Sequence, residues 1–393
     1  MQITWTPEQH ARRERFRRFA ATTVAPGTAE RDRAGVFDSK SWQALADEGF
    51  WTAHLPREYG GDGGTLWDFL AGLEGLAQGA DDSGFVLSAV AHAGLLHVLC
   101  EHGTPEQRRR LLPALAGGAV GATAATEPAG GSHVAAVGTR ARVHGVDDWR
   151  LTGHKAHITN APVADHLLIV GRLDGIGARD ITLFVLDRDR PGVNTGVAED
   201  LLGQRTSPTG PIILDGVPVG PADVVGPPGD GLATLYSFLA FDRLMYGVVV
   251  AAQLEALLPV VLRRCAERRA FGVPIGEHEF IQDKVVGIRT TIESARHLAY
   301  AAADALVRGD DAYSALASCA KLAASEGAVR STVELVQIFG HAGYDRAGGI
   351  ERHLRDAVAI RIAGGTTEMQ KKNIYKDVVR RYAAPVDAPA VPA

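Results

Sequence analysis

Apolar residues recur at helical spacing in the first third of the chain, alternate through the middle, and return to helical spacing over the last part. From residue 6 to about 115 the helical stretches carry clear start signals. Thr6-Pro7-Glu8-Gln9 offers an N-cap hydroxyl, a proline at the first helical position and a glutamine at the capping-box position. Thr104-Pro105-Glu106-Gln107 repeats it ahead of Leu111, Leu112 and Leu115. Between them Leu55-Pro56-Arg57-Glu58-Tyr59-Gly60-Gly61 reads as a turn-rich connection. Residues 139–143, 149–152, 166–170 and 180–186 read as short strands, punctuated by Gly, Pro and Asp, which predicts a small β-barrel domain. From about 232 to 382, runs rich in Ala and Leu predict helices of roughly 25 residues joined by short Gly-containing turns, an antiparallel bundle. The fold class is therefore α+β. An N-terminal helical domain (1–117), a middle β domain (118–229) and a C-terminal four-helix bundle (230–382) precede an Ala- and Pro-rich tail (383–393) expected to be disordered.

A length of 393 residues exceeds what one core organises, in keeping with three domains. The net charge of -5 argues against nucleic acid as a partner. An Arg-rich start excludes a signal peptide, and the longest apolar run, 244–252, is too short to cross a bilayer. Cys100, Cys265 and Cys319 lie far apart and fit no zinc or disulfide framework, so buried thiols in a reducing, cytoplasmic setting are expected. Arg12, Arg13, Arg15, Arg17 and Arg18, and Arg108 to Arg110, form basic clusters with two readings: solvated helix faces, or a dock for an acidic carrier protein. Neither a strand–GxGxxG–helix unit nor a Walker lysine loop is present, which argues against Rossmann and P-loop chemistry.

Five segments carry the chemistry. Thr126-Glu127-Pro128-Ala129-Gly130-Gly131-Ser132 is a loop of small residues that lets backbone approach a polar ring edge, and alone it also reads as a surface turn. His154-Lys155-Ala156-His157-Ile158-Thr159-Asn160 follows a strand. Glu267-Arg268-Arg269-Ala270-Phe271-Gly272, Gln337-Ile338-Phe339-Gly340-His341-Ala342-Gly343-Tyr344 and Gly364-Gly365-Thr366-Thr367-Glu368-Met369-Gln370 lie in the bundle. In this order they resemble the TEPgaGSD, GxKxwITN, xRxxFG, QxxGGxGY and yEGTsxiQ motifs of the acyl-CoA dehydrogenase family, and the resemblance spans essentially the whole chain.

The resemblance implies FAD held between the β domain and the bundle, with part of its site from a neighbouring subunit of a homodimer or homotetramer. Thr126 would hold the flavin edge, Ser132 would lie near a phosphate or the acyl thioester, and Thr159 would bond flavin N5. Arg268 and Phe271 would meet the pyrophosphate and adenine side, with Gln337, Gly340, Thr366 and Glu368 reaching across the dimer. His157 stands where the family has a flavin-covering aromatic; His133 and His341 replace a usual Asp and Gly. The substrate is implied to be acyl-CoA or an acyl-carrier-protein thioester, with electron-transferring flavoprotein as acceptor.

Removing a proton beside a thioester carbonyl while a hydride leaves the next carbon needs a carboxylate facing the flavin across the acyl chain. Most family members supply it as the Glu of yEGT, and here that residue is Gly364. The backbone N–H of Gly364 remains to polarise the carbonyl. A minority, of the isovaleryl-CoA and long-chain type, carries the base on the first bundle helix in an E-R-L segment, matched here by Asp242-Arg243-Leu244. Asp242 is thus the candidate base and Arg243 a candidate substrate contact. The competing reading pairs Asp242 with a neighbouring arginine on a solvated helix face. Asp is shorter than Glu by roughly 1.5 Å. Two regiochemistries follow: α,β dehydrogenation, or γ,δ dehydrogenation of a 2-enoyl thioester whose γ proton is acidified by conjugation. A flavin monooxygenase or nitroso-forming enzyme, and a non-catalytic flavoprotein, are the alternatives on the same fold.

Overall fold

Both TPEQ segments fold as capping boxes in the computed structural model, which describes residues 5–145 and 148–383. Thr6 accepts the N–H of Gln9 at 3.3 Å while the Gln9 side chain accepts the N–H of Thr6 at 3.0 Å, starting α1 (Pro7–Phe19). After α2 (Thr28–Ala34), α3 (Ser39–Asp47), α4 (Leu66–Gly79) and α5 (Ser83–His102), Thr104 and Gln107 make the same exchange at the start of α6 (Pro105–Ala116). Trp42, Trp51, Phe16, Phe50, Phe69 and Phe85 are fully buried among these helices. Each stabilises the fold by about 1.5–3 kcal/mol relative to an exposed side chain.

The basic clusters resolve to internal ion pairs. Arg12 reaches Asp62, Arg13 reaches Glu74 and Glu255, Arg15 reaches Glu48, and Arg17 and Arg18 reach Glu14. Arg109 pairs with Glu106, Arg110 with Asp187, and Arg108 bonds the carbonyls of Leu99 and Glu101. The charge is matched locally.

The middle region contains β1 (Gly121–Ala124), β2 (Arg140–Val143), β3 (Trp149–Thr159), β4 (His166–Leu173), β5 (Ile181–Asp187), β6 (Val193–Thr195), β7 (Thr209–Val219) and β8 (Val224–Val225). Their order is β6-β7-β3-β2-β4-β5-β8, with β1 parallel to β4. One face has its own core, with Leu167, Ile169, Phe184 and Leu186, while Leu168, Val170, Leu183 and Val185 on the other join the helical core. Strands covered on both faces have no solvated side, which is why β4 and β5 read as unbroken apolar runs. The expected strand at 149–152 continues to Thr159, so all of the HKAHITN segment but Asn160 lies inside β3 rather than after it.

The bundle opens with α7 (Gly231–Glu267), whose 37 residues exceed the expected helix length because the helix runs on through Pro259. A hairpin of β9 (Arg269–Ala270) and β10 (Val273–Pro274) leads to α8 (Glu279–Val307) and α9 (Tyr313–Phe339), followed by α10 (His341–Tyr344), α11 (Ile350–Ile360) and α12 (Thr367–Tyr382). Within α5 and α7 are windows long and apolar enough to cross a membrane by length and composition, which corrects the expectation drawn from residues 244–252. Most of each window is buried inside the protein, where these helices form its core. Residues 384–393 of the tail expected to be disordered lie outside the described residues.

The three regions meet at one ionic junction. Arg355 of α11 forks onto Asp32 of α2 at 2.7 and 3.2 Å and bonds Leu202 O in the loop before β7. In that loop Gln204 donates its N–H to Asp356 and its side-chain amide to Ser83, and Arg205 reaches Asp32 O. Thr206 bonds Asp82, which also pairs with Arg31. All three carboxylates are buried, and burial pushes Asp82 and Asp356 above the ordinary carboxylate range.

Candidate active site

On α7, Phe238, Asp242 and Tyr246 recur every four residues and so share a face. Asp242 is only 5% exposed, and among the described residues nothing donates a hydrogen bond to its carboxylate. The reading of Asp242 as a surface ion-pair partner is thereby corrected. The turn between α11 and α12 lies across this face. Gly364 (φ +64°) and Gly365 (φ +89°) adopt the left-handed region there. A Cβ on Gly364 would lie 2.6 Å from the Tyr246 ring and 2.7 Å from Asp242 Oδ2. Only glycine fits against this carboxylate.

The turn is stapled from behind. Arg243 Nε bonds Gly364 O at 3.3 Å, Lys321 Nζ bonds Gly365 O at 2.7 Å and Arg361 O at 3.3 Å, and Gln370 Nε2 bonds Gly365 O at 2.7 Å. Arg361 and Thr367 share Glu326. By contrast, the N–H groups of Gly364, Gly365 and Thr366 have no acceptor among the described residues. They are oriented donors of the kind that polarise a carbonyl.

Burial pushes the Asp242 carboxyl up to about 7, against the opposing pull of Arg243 and Lys321. Burial likewise lowers Lys321 to about 8, with Asp242 resisting, and raises the Tyr246 phenol, with the Asp242 charge adding to the effect. A carboxylate poised near neutrality matches a general base at physiological pH.

A second group of residues gathers at the end of β3. The pairing of β3 with β7 slips between Lys155 and Ile158, and His157 bulges out there at φ +56° with Nδ1 3.0 Å from both Glu199 oxygens. Thr159 is half-buried beside it. The buried Asn160 donates to Ser88 O and Gly121 O, anchoring the strand end to α5 and β1. Thr126 is drawn in by the Ala156 N–H to its carbonyl at 3.0 Å. Glu127 receives Lys155 Nζ at 2.8 Å, the Thr139 hydroxyl, and the N–H groups of Gly138 and Thr139. Those bonds outweigh burial and hold Glu127 at about 2. Ser132 lies at the exposed tip of this loop.

The remaining candidates stand apart. Arg268 and Phe271 occupy the β9–β10 hairpin, with the Phe271 ring 97% exposed and its backbone at φ +51°. Gln337 and Gly340 are exposed at the end of α9, joined to the end of α7 by Arg264 Nη2 on Phe339 O. Thr366 caps α12 through the Met369 N–H, and Glu368 projects into solvent. Thr126 beside β3 and Thr159 at its end, and the exposed Arg268 and Phe271 at the β9–β10 hairpin, have the chemistry to fit a flavin edge and a diphosphate with an aromatic base. Sequence reasoning missed Tyr246, Lys321 and Glu199. Lys321 had a signal: a single lysine in a run of Ala and Ser, one of only seven in the chain.

A β region between two helical domains, with a buried carboxylate under a glycine turn, is an arrangement suited to flavin-dependent dehydrogenation of an acyl thioester. Models of the acyl-CoA dehydrogenase N-terminal, middle and C-terminal domains match residues 6–119, 122–217 and 229–379. The 3-(aryl)acrylate reductase of Clostridium sporogenes is 32% identical over 95% of this chain and 99% of its own length. The L-prolyl-[peptidyl-carrier protein] dehydrogenase of Pseudomonas fluorescens is 30% identical, covering 88% of this chain and 92% of its own. The solved structure of the prolyl acyl carrier protein oxidase AnaB superposes with a TM-score of 0.92 at 29% identity, over 95% of this chain and all of that one. The chain belongs to the acyl-CoA dehydrogenase family, and it is an FAD-dependent oxidoreductase.

Proposed function

We propose that this protein dehydrogenates an acyl thioester, carried on CoA or an acyl carrier protein, with Asp242 as the base. The observation that carries the reading is the fit of the Asp242 carboxylate against Gly364, whose own N–H has no acceptor among the described residues. In this scheme the Gly364 N–H polarises the thioester carbonyl, which acidifies the adjacent C–H. Asp242 takes that proton into a site where burial has already raised its proton affinity. Arg243 and Gln370 keep the turn closed over the base. FAD, when bound, supplies the acceptor for the hydride that leaves the neighbouring carbon. Thr126 and Thr159 would hold its ring edge, and Arg268 with Phe271 its diphosphate and adenine end.

Homo-oligomerisation belongs to the same proposal. Tyr375, Val378, Val379 and Tyr382 form an exposed stripe along α12, and Phe271, Phe280 and Tyr344 are also exposed. Apolar surface of this kind suits a second copy of the chain, whose bundle would complete the cofactor site. Electron-transferring flavoprotein as acceptor and a cytoplasmic setting complete the reading, the latter in keeping with three free cysteines.

The test is anaerobic addition of thioesters on both carriers to the FAD-loaded protein. Wild type should bleach; Asp242→Asn should retain FAD absorbance and lose bleaching by about 10²–10⁴-fold. Bleaching of the variant at the wild-type rate would remove Asp242 from the mechanism.

A further inference from the structure

Lys321 has no exposed surface. A buried ammonium is costly unless its donors are satisfied, and here its bonds go to Gly365 O at 2.7 Å and Arg361 O at 3.3 Å. Both carbonyls belong to the turn that covers Asp242. Arg243 and Gln370 reach the same turn from α7 and α12. With the carbonyls of Gly364 and Gly365 drawn to that side, the trans peptide planes direct the next two N–H groups to the other. Those are two of the groups without an acceptor.

We propose that Lys321 is a positioning residue for the dehydrogenation: its ammonium fixes the 361–365 turn against Asp242 and supplies the positive charge that Asp242 faces from α9. This rests on the reading of Asp242 as the base. The groups that act on Asp242 are Arg243 and Lys321, and Tyr246 lies within the field of its charge. Lys321 in turn faces Asp242 and Arg243 from α7, Glu326 from its own helix and Glu368 from α12. Removing the Lys321 charge leaves Arg243 as the cation beside the base, so the ionised carboxylate loses part of its stabilisation.

The experiment follows flavin reduction against pH, anaerobically, with whichever of butanoyl-, isovaleryl- and hexanoyl-CoA bleaches the wild type fastest. In Lys321→Met the acidic limb of the rate profile is expected to move up by about one pH unit, a roughly tenfold loss at pH values on that limb. A purely structural lysine would lower the rate equally at every pH and leave the limb in place, and that result overturns the proposal. Lys321→Arg keeps the charge but not the length. Its limb should stay at the wild-type position with a lower plateau, and a displaced limb in this variant also overturns the proposal, even if Lys321→Met fails to fold. Asp242→Asn separates the two levels. If it still bleaches at the wild-type rate, the reading of the base falls and the role of Lys321 with it. If it is inactive while Lys321→Met keeps the wild-type limb, only the lysine proposal falls.

Discussion

Replacing Gly364 with alanine should damage catalysis through Asp242 rather than through the loss of any contact. The added Cβ would stand 2.7 Å from Asp242 Oδ2 and 2.6 Å from the Tyr246 ring, whereas ordinary contact begins at 3.4 Å. The carboxylate must therefore retreat by about 0.7 Å. Displacements near 1 Å cost on the order of 10²-fold in rate, so a loss of roughly 30- to 100-fold is expected. Backbone strain adds about 1–2 kcal/mol, because Gly364 sits at φ +64°, and overpacking adds about 1–3 kcal/mol. The assay pairs stopped-flow flavin reduction with a denaturant titration, in the wild-type and Asp242→Asn backgrounds. If the damage passes through the carboxylate, Gly364→Ala should slow the wild type and add little to the residual rate of Asp242→Asn. A Gly364→Ala enzyme within twofold of wild type, or an equal penalty in both backgrounds, refutes the reasoning.

Stability should respond to Asp242 as well. The native carboxyl titrates near 7, against about 3.9 in an unfolded chain, so between those values the native state holds a proton that the unfolded chain has released. Stability then falls as pH rises through that window, by on the order of 4 kcal/mol, and Asp242→Asn should be stabilised relative to wild type at pH 8 but not at pH 4; denaturant titrations showing the same difference at both values would refute this. Lys155→Met leaves Glu127 with only its Gly138 and Thr139 donors and should cost about 1.5–3 kcal/mol, measured the same way, with weaker FAD retention; a loss below about 0.5 kcal/mol would show that the pair is not structural. NMR of products from saturated thioesters should place the new double bond at α,β, and new γ,δ unsaturation should arise only when a 2-enoyl thioester is supplied.

Much of this was legible in the sequence because the signals are local. Both capping boxes and the order of the domains follow from neighbouring residues alone, and the Gly at 364 with an acid at 242 could be read through the resemblance to the acyl-CoA dehydrogenase motifs. What escaped was non-local. β7, absent from the expected strands, carries Pro211, Pro218, Gly210 and Gly216, residue types that weaken a strand pattern, yet Pro211 lies opposite the slip between Lys155 and Ile158, where the ladder needs no donor. Lys321 could not be placed from sequence because its partners are carbonyls some 40 residues away, on a turn whose path depends on how α9 and α12 pack. The arginine clusters are largely the solvated helix faces expected, with Arg15, Arg18, Arg109 and Arg110 half or more exposed, but their partners were only partly legible. Glu14 and Glu106 lie within one turn of the arginines they pair with, whereas Glu255 for Arg13 and Asp187 for Arg110 are distant in the chain and close only in the fold.

The junction of Asp32, Gln204 and Arg355 has a bearing on chimeras. A middle domain transplanted from a relative would bring its own loop between α2 and α11; Arg355 would keep Asp32, but the buried Asp356 would lose the Gln204 N–H unless the new loop presents a donor at the same place. Successful grafts must move these positions as a set, and the three regions should accordingly melt together rather than in sequence.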